Sequence, residues 1–446
     1  MNTALISIIL PVFNGEKYLS QCLESIIDQS FLYYELICVN DGSTDLTTLI
    51  LDKYQKKDER IIIINNECRL GAAHSRNKGL SLASSECIIF LDSDDIYAPD
   101  MLKIAYENMI HHHADVVEFT IDIFAGNDYS KEMATLIYQG VKSFHGKNIT
   151  IKEFPSQIIL EHLNGPINKL YKKAFIHKYQ LLFQDLECCN DVYFTLMSVM
   201  LADKYFRIDS AEALAHVRQH DTISRISTNR NIMCIYLALY ETKNGLVKRG
   251  LWNTLYNHYF IKAIFTIFGE MSECKNEAEK EVFYKFIQSE GFSTLFEGLG
   301  SDEKLEPYIK TRYEKFINEP YQSKWWEEED ILSLHLMNND EIVIKIFADA
   351  KINQKSIGLW GCGKRGKAII EFCQLNHLSL DAIIDRDKNK HGLFIGNYQV
   401  QYNDDILKEL DIIIVSTSEF YDEVSTTLAA NHSHIKQLDI NKLLCL

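Results

Sequence analysis

From Leu5 to about Phe119, short apolar runs alternate with stretches in which apolar residues recur at helical spacing. The runs Ser7–Pro11, Leu36–Val39, Ile61–Ile64, Cys87–Leu91 and Val116–Phe119 predict strands, and the alternation predicts an α/β domain with a largely parallel sheet. Between the first two strands, Leu19, Cys22, Leu23, Ile26 and Ile27 share one helical face, while Lys17, Gln21 and Asp28 fall elsewhere. That face is expected to pack on the sheet.

From about Asn231 to Ile344 the strand-turn alternation stops, glycine becomes sparse, and spacings such as Ile232, Ile235, Tyr236, Leu239 predict a helical connector. The run Trp325 to Asp330 reads as an exposed helix edge. Beyond it the α/β pattern returns, with strands expected at Ser356–Trp360, Ala382–Ile384 and Ile412–Val415 and a helix at Lys364–Leu375 whose Ala368, Ile369, Phe372 and Cys373 face inward. The expected divisions are 1–230, 231–350 and 351–446.

A chain of 446 residues is longer than one core usually organises. Hydrophobic residues at 46% and charged residues at 24% are those of a soluble globular protein, and no run approaches the roughly 20 apolar residues of a membrane span. The start Met-Asn-Thr-Ala lacks a basic region and a cleavage site, so a cytoplasmic location is expected. The 11 cysteines agree: the number is odd, no Cys-x-x-Cys occurs, and Cys38, Cys87 and Cys373 fall in apolar strands or helices as buried thiols. A net charge of −16 argues against a nucleic-acid surface but not against a small phosphorylated ligand.

Ligands bind outside the carboxyl ends of parallel strands. Those ends carry Pro11-Val12-Phe13-Asn14, Asn40-Asp41-Gly42-Ser43-Thr44-Asp45, Asn65-Asn66-Glu67 and Asp92-Ser93-Asp94-Asp95. Acids alternating after the apolar Ile88-Ile89-Phe90-Leu91 suit a hard divalent cation whose shell phosphate oxygens complete. From these residues alone, Asp94 or Asp95 could equally cap a helix running over Ile96–His111. The triple histidine at 111–113 reads as the C-terminal face of that helix.

Four segments in order, Pro11-Val12-Phe13-Asn14-Gly15 with Tyr18-Leu19, Val39 to Asp45, Gly71-Ala72-Ala73-x-x-Arg76-Asn77-x-Gly79 and Leu91 to Asp95, lie within about 85 residues. In order and spacing they resemble the inverting family 2 glycosyltransferases of the GT-A fold. The resemblance implies that Pro11, Val12, Phe13 and Asn14 line the base and ribose pocket, that Asp41 bonds the base, and that Arg76 reaches the nucleotide. It further implies that Asp92, with Ser93, faces the ribose or sugar and that Asp94 ligates Mn²⁺ or Mg²⁺ bridging the diphosphate. A turn residue is the plainer alternative for Asp41 and a surface ion pair for Arg76; Asp45 reads as a helix N-cap.

Later segments resemble the same family. Gly165 to Tyr171 contains Asn168-Lys169-Leu170-Tyr171, which the resemblance places at the sugar and diphosphate wall. In Asn190-Asp191-Val192-Tyr193-Phe194, Asn190 stands where relatives carry Glu, and Asp191 keeps the position of the catalytic base, with a helix-start acid as its alternative. An inverting transfer needs such a base to take the proton of the attacking hydroxyl. His216 to Ser224 resembles a loop closing over the donor, with Arg218 on the diphosphate and His220 on the metal or in a surface loop.

Near the C-terminus, Gly361, Gly363 and Gly366 follow a strand and open a helix, and Asp385 ends the next strand 24 residues after Gly361. That is the context of a dinucleotide-binding fingerprint. The segment resembles small Rossmann-like domains appended to bacterial polysaccharide-biosynthesis enzymes, which implies the fold but no activity. An NAD-type nucleotide there is the lesser expectation beside a docking or assembly module.

The expected fold class is therefore α/β: a GT-A nucleotide-sugar-binding domain, a helical connector and a small Rossmann-like domain. The expected function is inverting transfer from a nucleoside diphosphate sugar, with UDP as nucleotide, to a saccharide or lipid-linked saccharide at the inner membrane face. A non-catalytic nucleotide-sugar sensor and an NAD-dependent oxidoreductase are the alternatives. Peripheral membrane association and self-association remain open, and no nucleic-acid partner is expected.

Overall fold

A computed structural model describes residues 3–126, 129, 135–136, 148–149, 165–208, 212–219, 231–274, 276–296, 318, 340–375, 377–395, 397–402, 404–416 and 421–439. The chain divides into two compact units, 1–299 and 300–446.

Ile6, Ile8, Ile9 and Leu10 are all fully buried, which is the mark of a strand covered on both faces. This strand, β1 (Ile6–Val12), lies between parallel neighbours β2 (Tyr34–Asn40) and β4 (Cys87–Phe90), and β3 (Ile61–Asn65) continues the sheet beyond β2. Each expected strand of this half is present to within a residue or two at its ends. The sheet has eight strands in the order β3-β2-β1-β4-β10-β6-β11-β9, where β6 is Val116–Glu118, β9 Asn148–Ile149, β10 Lys169–Lys172 and β11 Tyr205–Arg207. Strand β10 runs antiparallel to both β4 and β6.

Helix α1 (Leu19–Ile27) buries Leu19, Cys22, Leu23 and Ile26 against this sheet, as its spacing predicts. Helix α3 (Ala72–Leu82) approaches β1 closely: a Cβ at Gly79 would lie 2.5 Å from Ile9 Cγ2, so only glycine fits there. No helix starts at Asp94 or Asp95. Residues Ile96–Tyr97 form β5, and helix α4 begins only at Met101 and runs to His112. Pro99 explains the delay, because proline disfavours helical backbone in the residue before it. Strand β5 opens a second, four-stranded sheet, β5-β12-β7-β8, with β7 at Ile121–Ala125, β8 at Thr135–Leu136 and β12 at Ala215–Gln219.

Within the same unit, Met233–Lys248, Trp252–Glu273 and Glu277–Phe286 are helices. The first packs on the sheet domain: Gly245 lies against Met197 and Tyr193, and the Arg249 guanidinium donates to the Tyr179 carbonyl at 2.7 Å. The Trp325 to Asp330 run lies outside the described residues.

The second unit holds strands Ile357–Trp360, Ala382–Ile384, Tyr398–Gln401, Ile412–Val415 and Lys436–Asp439, all parallel. In chain order their arrangement across the sheet is 3-2-1-4-5, that of a doubly wound α/β sheet, with the short Phe394–Ile395 antiparallel at one edge. Apolar clusters cover both faces. The helix Lys364–Leu375 has the expected bounds. Ten cysteines are described, all as free thiols, with Cys68 exposed and Cys38, Cys87 and Cys373 buried as expected.

Candidate active site

The parallel register brings the ends of β1, β2 and β4 to one edge, and the polar loops beyond them interlock. Asn14 sits at φ +48°; its N–H donates to Ser43 Oγ at 3.0 Å and its Oδ1 accepts from Thr44 N–H at 2.9 Å. The Phe13 ring carries the Arg69 guanidinium 4.5 Å above it. Pro11 and Val12 are the last residues of β1, with Val12 buried. Asp41 is buried and organises the loop ahead of α3: Oδ1 accepts from Asn66 Nδ2 at 2.7 Å and Leu70 N–H at 2.9 Å, and Oδ2 from Gly71 N–H at 2.8 Å. The turn needs Gly42, at φ +68°, because a Cβ there would lie 2.7 Å from the Arg69 nitrogen. Asp45 accepts from Thr47 N–H at 3.0 Å at the start of the helix Thr47–Gln55, and from Glu16 N–H at 3.0 Å.

At the end of β4, Asp92, Ser93 and Asp94 are half-buried and Asp95 is buried. The buried Tyr97 hydroxyl donates to the Asp92 carbonyl and accepts from the Asp92 N–H, both at 2.9 Å, so β5 fixes the main chain of this turn. Burial, then the nearby Asp94 and Asp92 carboxylates, pushes the Asp95 carboxyl well above its usual range. Strand β12 holds the turn from the other side. Arg218 N–H donates to Asp95 Oδ1 and its Nε to the Asp94 carbonyl, both at 2.9 Å, while its Nη2 reaches Gln21 and its plane lies 4.1 Å from the Tyr18 ring centre.

Arg76 leaves the middle of α3 and is almost wholly buried, 6% exposed. Its Nη2 pairs with Asp92 Oδ1 at 2.8 Å and its Nη1 donates to Asn190 Oδ1 at 3.1 Å. The next residue, Asn77, exchanges hydrogen bonds with the main chain of Phe183, at 2.8 and 2.9 Å. Helix α3 thereby holds the segment 183–190 beside the Asp92 rim. Asp191 follows directly, at the N-terminus of the buried helix Val192–Leu201. Burial raises its carboxyl above the usual range, the Asp92 charge adds to this, and Arg76 and Lys169 oppose it.

Asn168 and Lys169 are fully buried. Lys169 Nζ pairs with Glu118 Oε1 at 3.2 Å and donates to the Gly165 carbonyl at 2.9 Å and to Asn168 Oδ1 at 2.5 Å. Glu118 also receives Arg207, Nη2 to Oε2 at 2.7 Å. Burial brings the Lys169 ammonium down to about 8 despite the Glu118 charge, and Lys262, on the helix Trp252–Glu273, falls to about 8 for the same reason. His220 lies outside the described residues.

In the second unit Gly361 sits at φ +95°, and a Cβ at Gly366 would lie 2.0 Å from the Gly361 carbonyl oxygen. A Cβ at Gly363 would meet nothing within 4 Å. Asp385 closes on the same loop: its carboxylate accepts from Cys362 N–H and pairs with Lys390, each at 3.0 Å. Burial would raise this carboxyl, but the hydrogen bonds from Cys362, Asp387 and Lys390 bring it down to about 2.

Known proteins share the first unit. Residues 7–179 match the family model described as Glycosyl transferase family 2. The protein named EpsH of Bacillus subtilis, a glycosyltransferase by its name, is 32% identical over 262 residues, 56% of this chain and 71% of that one. The chain belongs to glycosyl transferase family 2.

Another family relative is Glycosyltransferase GlyG of Streptococcus pneumoniae serotype 4, 33% identical over 194 residues, 43% of this chain; the chain spans 60% of that relative's length. Among solved structures, S. aureus TarS 1–349 in complex with UDP-GlcNAc superposes with a TM-score of 0.51 at 22% identity, covering 65% of this chain and 81% of the other. The likeness shows the GT-A-type fold of the first unit. Family membership places the matched segment, residues 7–179, among glycosyltransferase domains.

The turn after β4 offers only hard oxygen donors, the carboxyl groups of Asp92, Asp94 and Asp95 and the Ser93 hydroxyl. Among the described residues no group of three potential ligands is close enough to hold an ion alone. Such a donor set fits Mg²⁺ or Mn²⁺, which takes one or two carboxylates and completes its shell with phosphate oxygens and water. Sequence reading passed over Tyr97, for which no local pattern speaks. It also passed over Glu118, for which there was a signal: a lone acid inside the apolar run Val116–Phe119.

Proposed function

We propose that the first unit transfers a sugar with inversion from a UDP-linked donor to a saccharide or lipid-linked saccharide acceptor of surface glycan synthesis, on the cytoplasmic side of the membrane. The observation that carries this reading is the link from Asp92 through Arg76 to Asn190, the residue next to the proposed base Asp191. The acceptor hydroxyl attacks C1; the C1–oxygen bond to the diphosphate breaks, its electron pair leaves with the diphosphate, and the hydroxyl proton passes to Asp191. Pro11, Val12, Phe13 and Asn14 would hold the base and ribose, with Asp41 shaping the loop behind them and Ser93 facing the donor. Asp94 would hold Mn²⁺ or Mg²⁺, joined by His220, and the bound ion supplies positive charge to the departing diphosphate. Arg218 would serve the diphosphate by fixing the Asp94 turn, and Asn168 and Lys169 would form the wall behind the sugar. The likeness to a TarS fold crystallised with UDP-GlcNAc supports UDP as nucleotide.

For the second unit we favour docking or assembly. Asp385, the acid that would meet a ribose, is already bonded to Cys362 N–H and Lys390, which weighs against an NAD-type nucleotide. Among the described residues no helix is long and apolar enough to cross a membrane.

A panel of UDP-, GDP- and dTDP-sugars, read by nucleotide release with and without Mn²⁺, tests the reading. Turnover is expected with a UDP-sugar and a metal; turnover of none, or undiminished turnover in EDTA, overturns it.

A further inference from the structure

Arg76 stands where one helix meets both halves of the site. Its two terminal nitrogens are divided between Asp92 on the donor rim, at 2.8 Å, and Asn190 on the loop that presents Asp191, at 3.1 Å. The aromatic ring of Phe183 lies 5.3 Å from the guanidinium, and Asn77 pins the Phe183 main chain in both directions. The buried Nε has no hydrogen-bond partner among the described residues, so the two terminal nitrogens of the fork carry the hydrogen bonds of the group.

The residue at 190 decides where the charge of Arg76 goes. An acid there would pair with the guanidinium through the nitrogen that Asn190 now engages, and a charge-assisted contact of this kind absorbs much of a cation's field. Asn190 offers a carbonyl oxygen and no charge. Around Asp191 the charged and titratable groups are Arg76 from α3, Asp92 from the end of β4, and Lys169 and Tyr171 from β10. Among these only Arg76 touches both Asp92 and the neighbour of Asp191.

We propose that Arg76 is a positioning residue that ties the Asp191 loop to the donor rim, and that the neutral Asn190 leaves its charge to the carboxylates Asp92 and Asp191. The proposal rests on the reading of Asp191 as the base. Restoring an acid at 190 then withdraws Arg76 from Asp191 and adds a like charge beside it, so that Asp191 holds its proton to higher pH.

The test uses the full chain and the UDP-sugar with the highest turnover in the donor panel, following UDP release from pH 5 to 9 together with UDP binding by calorimetry. In Asn190→Glu the acid limb of kcat/KM is expected to move up by about one pH unit, a roughly tenfold loss on that limb, with UDP affinity within about twofold of the parent. Asn190→Gln should keep the parent limb. Arg76→Lys retains charge without the fork, and kcat should fall by about tenfold or more while KM for donor changes little. Superposition of the Asn190→Glu profile on that of the parent overturns the proposal, as does an equal shift in Asn190→Gln. Asp191→Asn separates the two readings: if it transfers at the parental rate, the base assignment fails first, whereas a dead Asp191→Asn with an unshifted Asn190→Glu defeats the Arg76 proposal alone. A parent chain that turns over no donor defeats both.

Discussion

The hydroxyl of Tyr97 clasps the peptide of Asp92 from both sides, donating to its carbonyl and accepting from its N–H at 2.9 Å each. A strand two residues long, β5, thereby becomes a template for the rim of the active site. Tyr97→Phe removes the clasp and leaves the Asp92 N–H to find another partner, while the carbonyl keeps the longer contacts from Asp95 N–H at 3.4 Å and Cys22 Sγ at 3.5 Å. The expected cost is about 1–3 kcal/mol of unfolding free energy, read by urea titration. A displaced rim should also lower kcat/KM by about tenfold or more, because small errors in placement weaken catalysis steeply. Unchanged kinetics with unchanged stability would show that Tyr97 does not fix the turn.

The donor chemistry of Asp94 can be separated from its fold. Asp94→Ala leaves the Asp94 carbonyl free to accept from Arg218 Nε as before, so the turn should persist. What is lost is a hard ligand beside the diphosphate. Turnover should drop by about 100-fold or more, and addition of Mn²⁺ should no longer raise it. A variant that still responds to Mn²⁺ at the parental concentration would exclude Asp94 as a metal ligand.

Asp191 makes a signed prediction about pH. Burial, opposed by Arg76 and Lys169, leaves its carboxyl above the usual value, and a general base works only when ionised. Activity should therefore be full well above that raised value and fall as the pH drops through it. Asp191→Asn should lose about 100-fold to 10,000-fold in transfer while UDP binding survives. Retention of the acid limb in the Asn variant would assign that limb to another group.

Strands and cores were legible because long apolar runs admit few alternatives: Ile88 to Leu91 reads as a buried strand, and all four are buried with Ile88 to Phe90 in β4. The helix alternative at Ile96 failed on Pro99, a local signal, and on β12, whose Ala215 pairs with Tyr97 across a separation that no local pattern shows. Within the site, the acids that follow an apolar strand pointed to Asp92 and Asp94, and the family resemblance pointed to Asp191. They could not show that Arg76 spans from one to the other, since Arg76 and Asn190 lie 114 positions apart in the chain. Side-chain direction was equally hidden for Asn168 and Lys169, whose polar atoms turn to Glu118, Gly165 and Phe119 inside the fold.

The Glu118 cluster supplies the last prediction. A carboxylate with no exposed surface receives Lys169 at 3.2 Å and Arg207 at 2.7 Å. Glu118→Gln leaves both cations buried without that charge, which by comparison with other broken buried pairs costs about 3–5 kcal/mol. The loss should depend on pH in a definite direction. Burial brings Lys169 down to about 8 from its ordinary 10.5, so the folded chain sheds this proton earlier than the unfolded one. Below about 8 the ammonium is charged and the Glu118 pair is at full strength; above it Lys169 is neutral and only Arg207 still depends on Glu118. The difference in unfolding free energy between the parent chain and Glu118→Gln should therefore be largest near pH 7 and shrink by pH 9. A difference that stays constant across this range would show that Lys169 does not titrate there, and that Arg207 alone accounts for the effect.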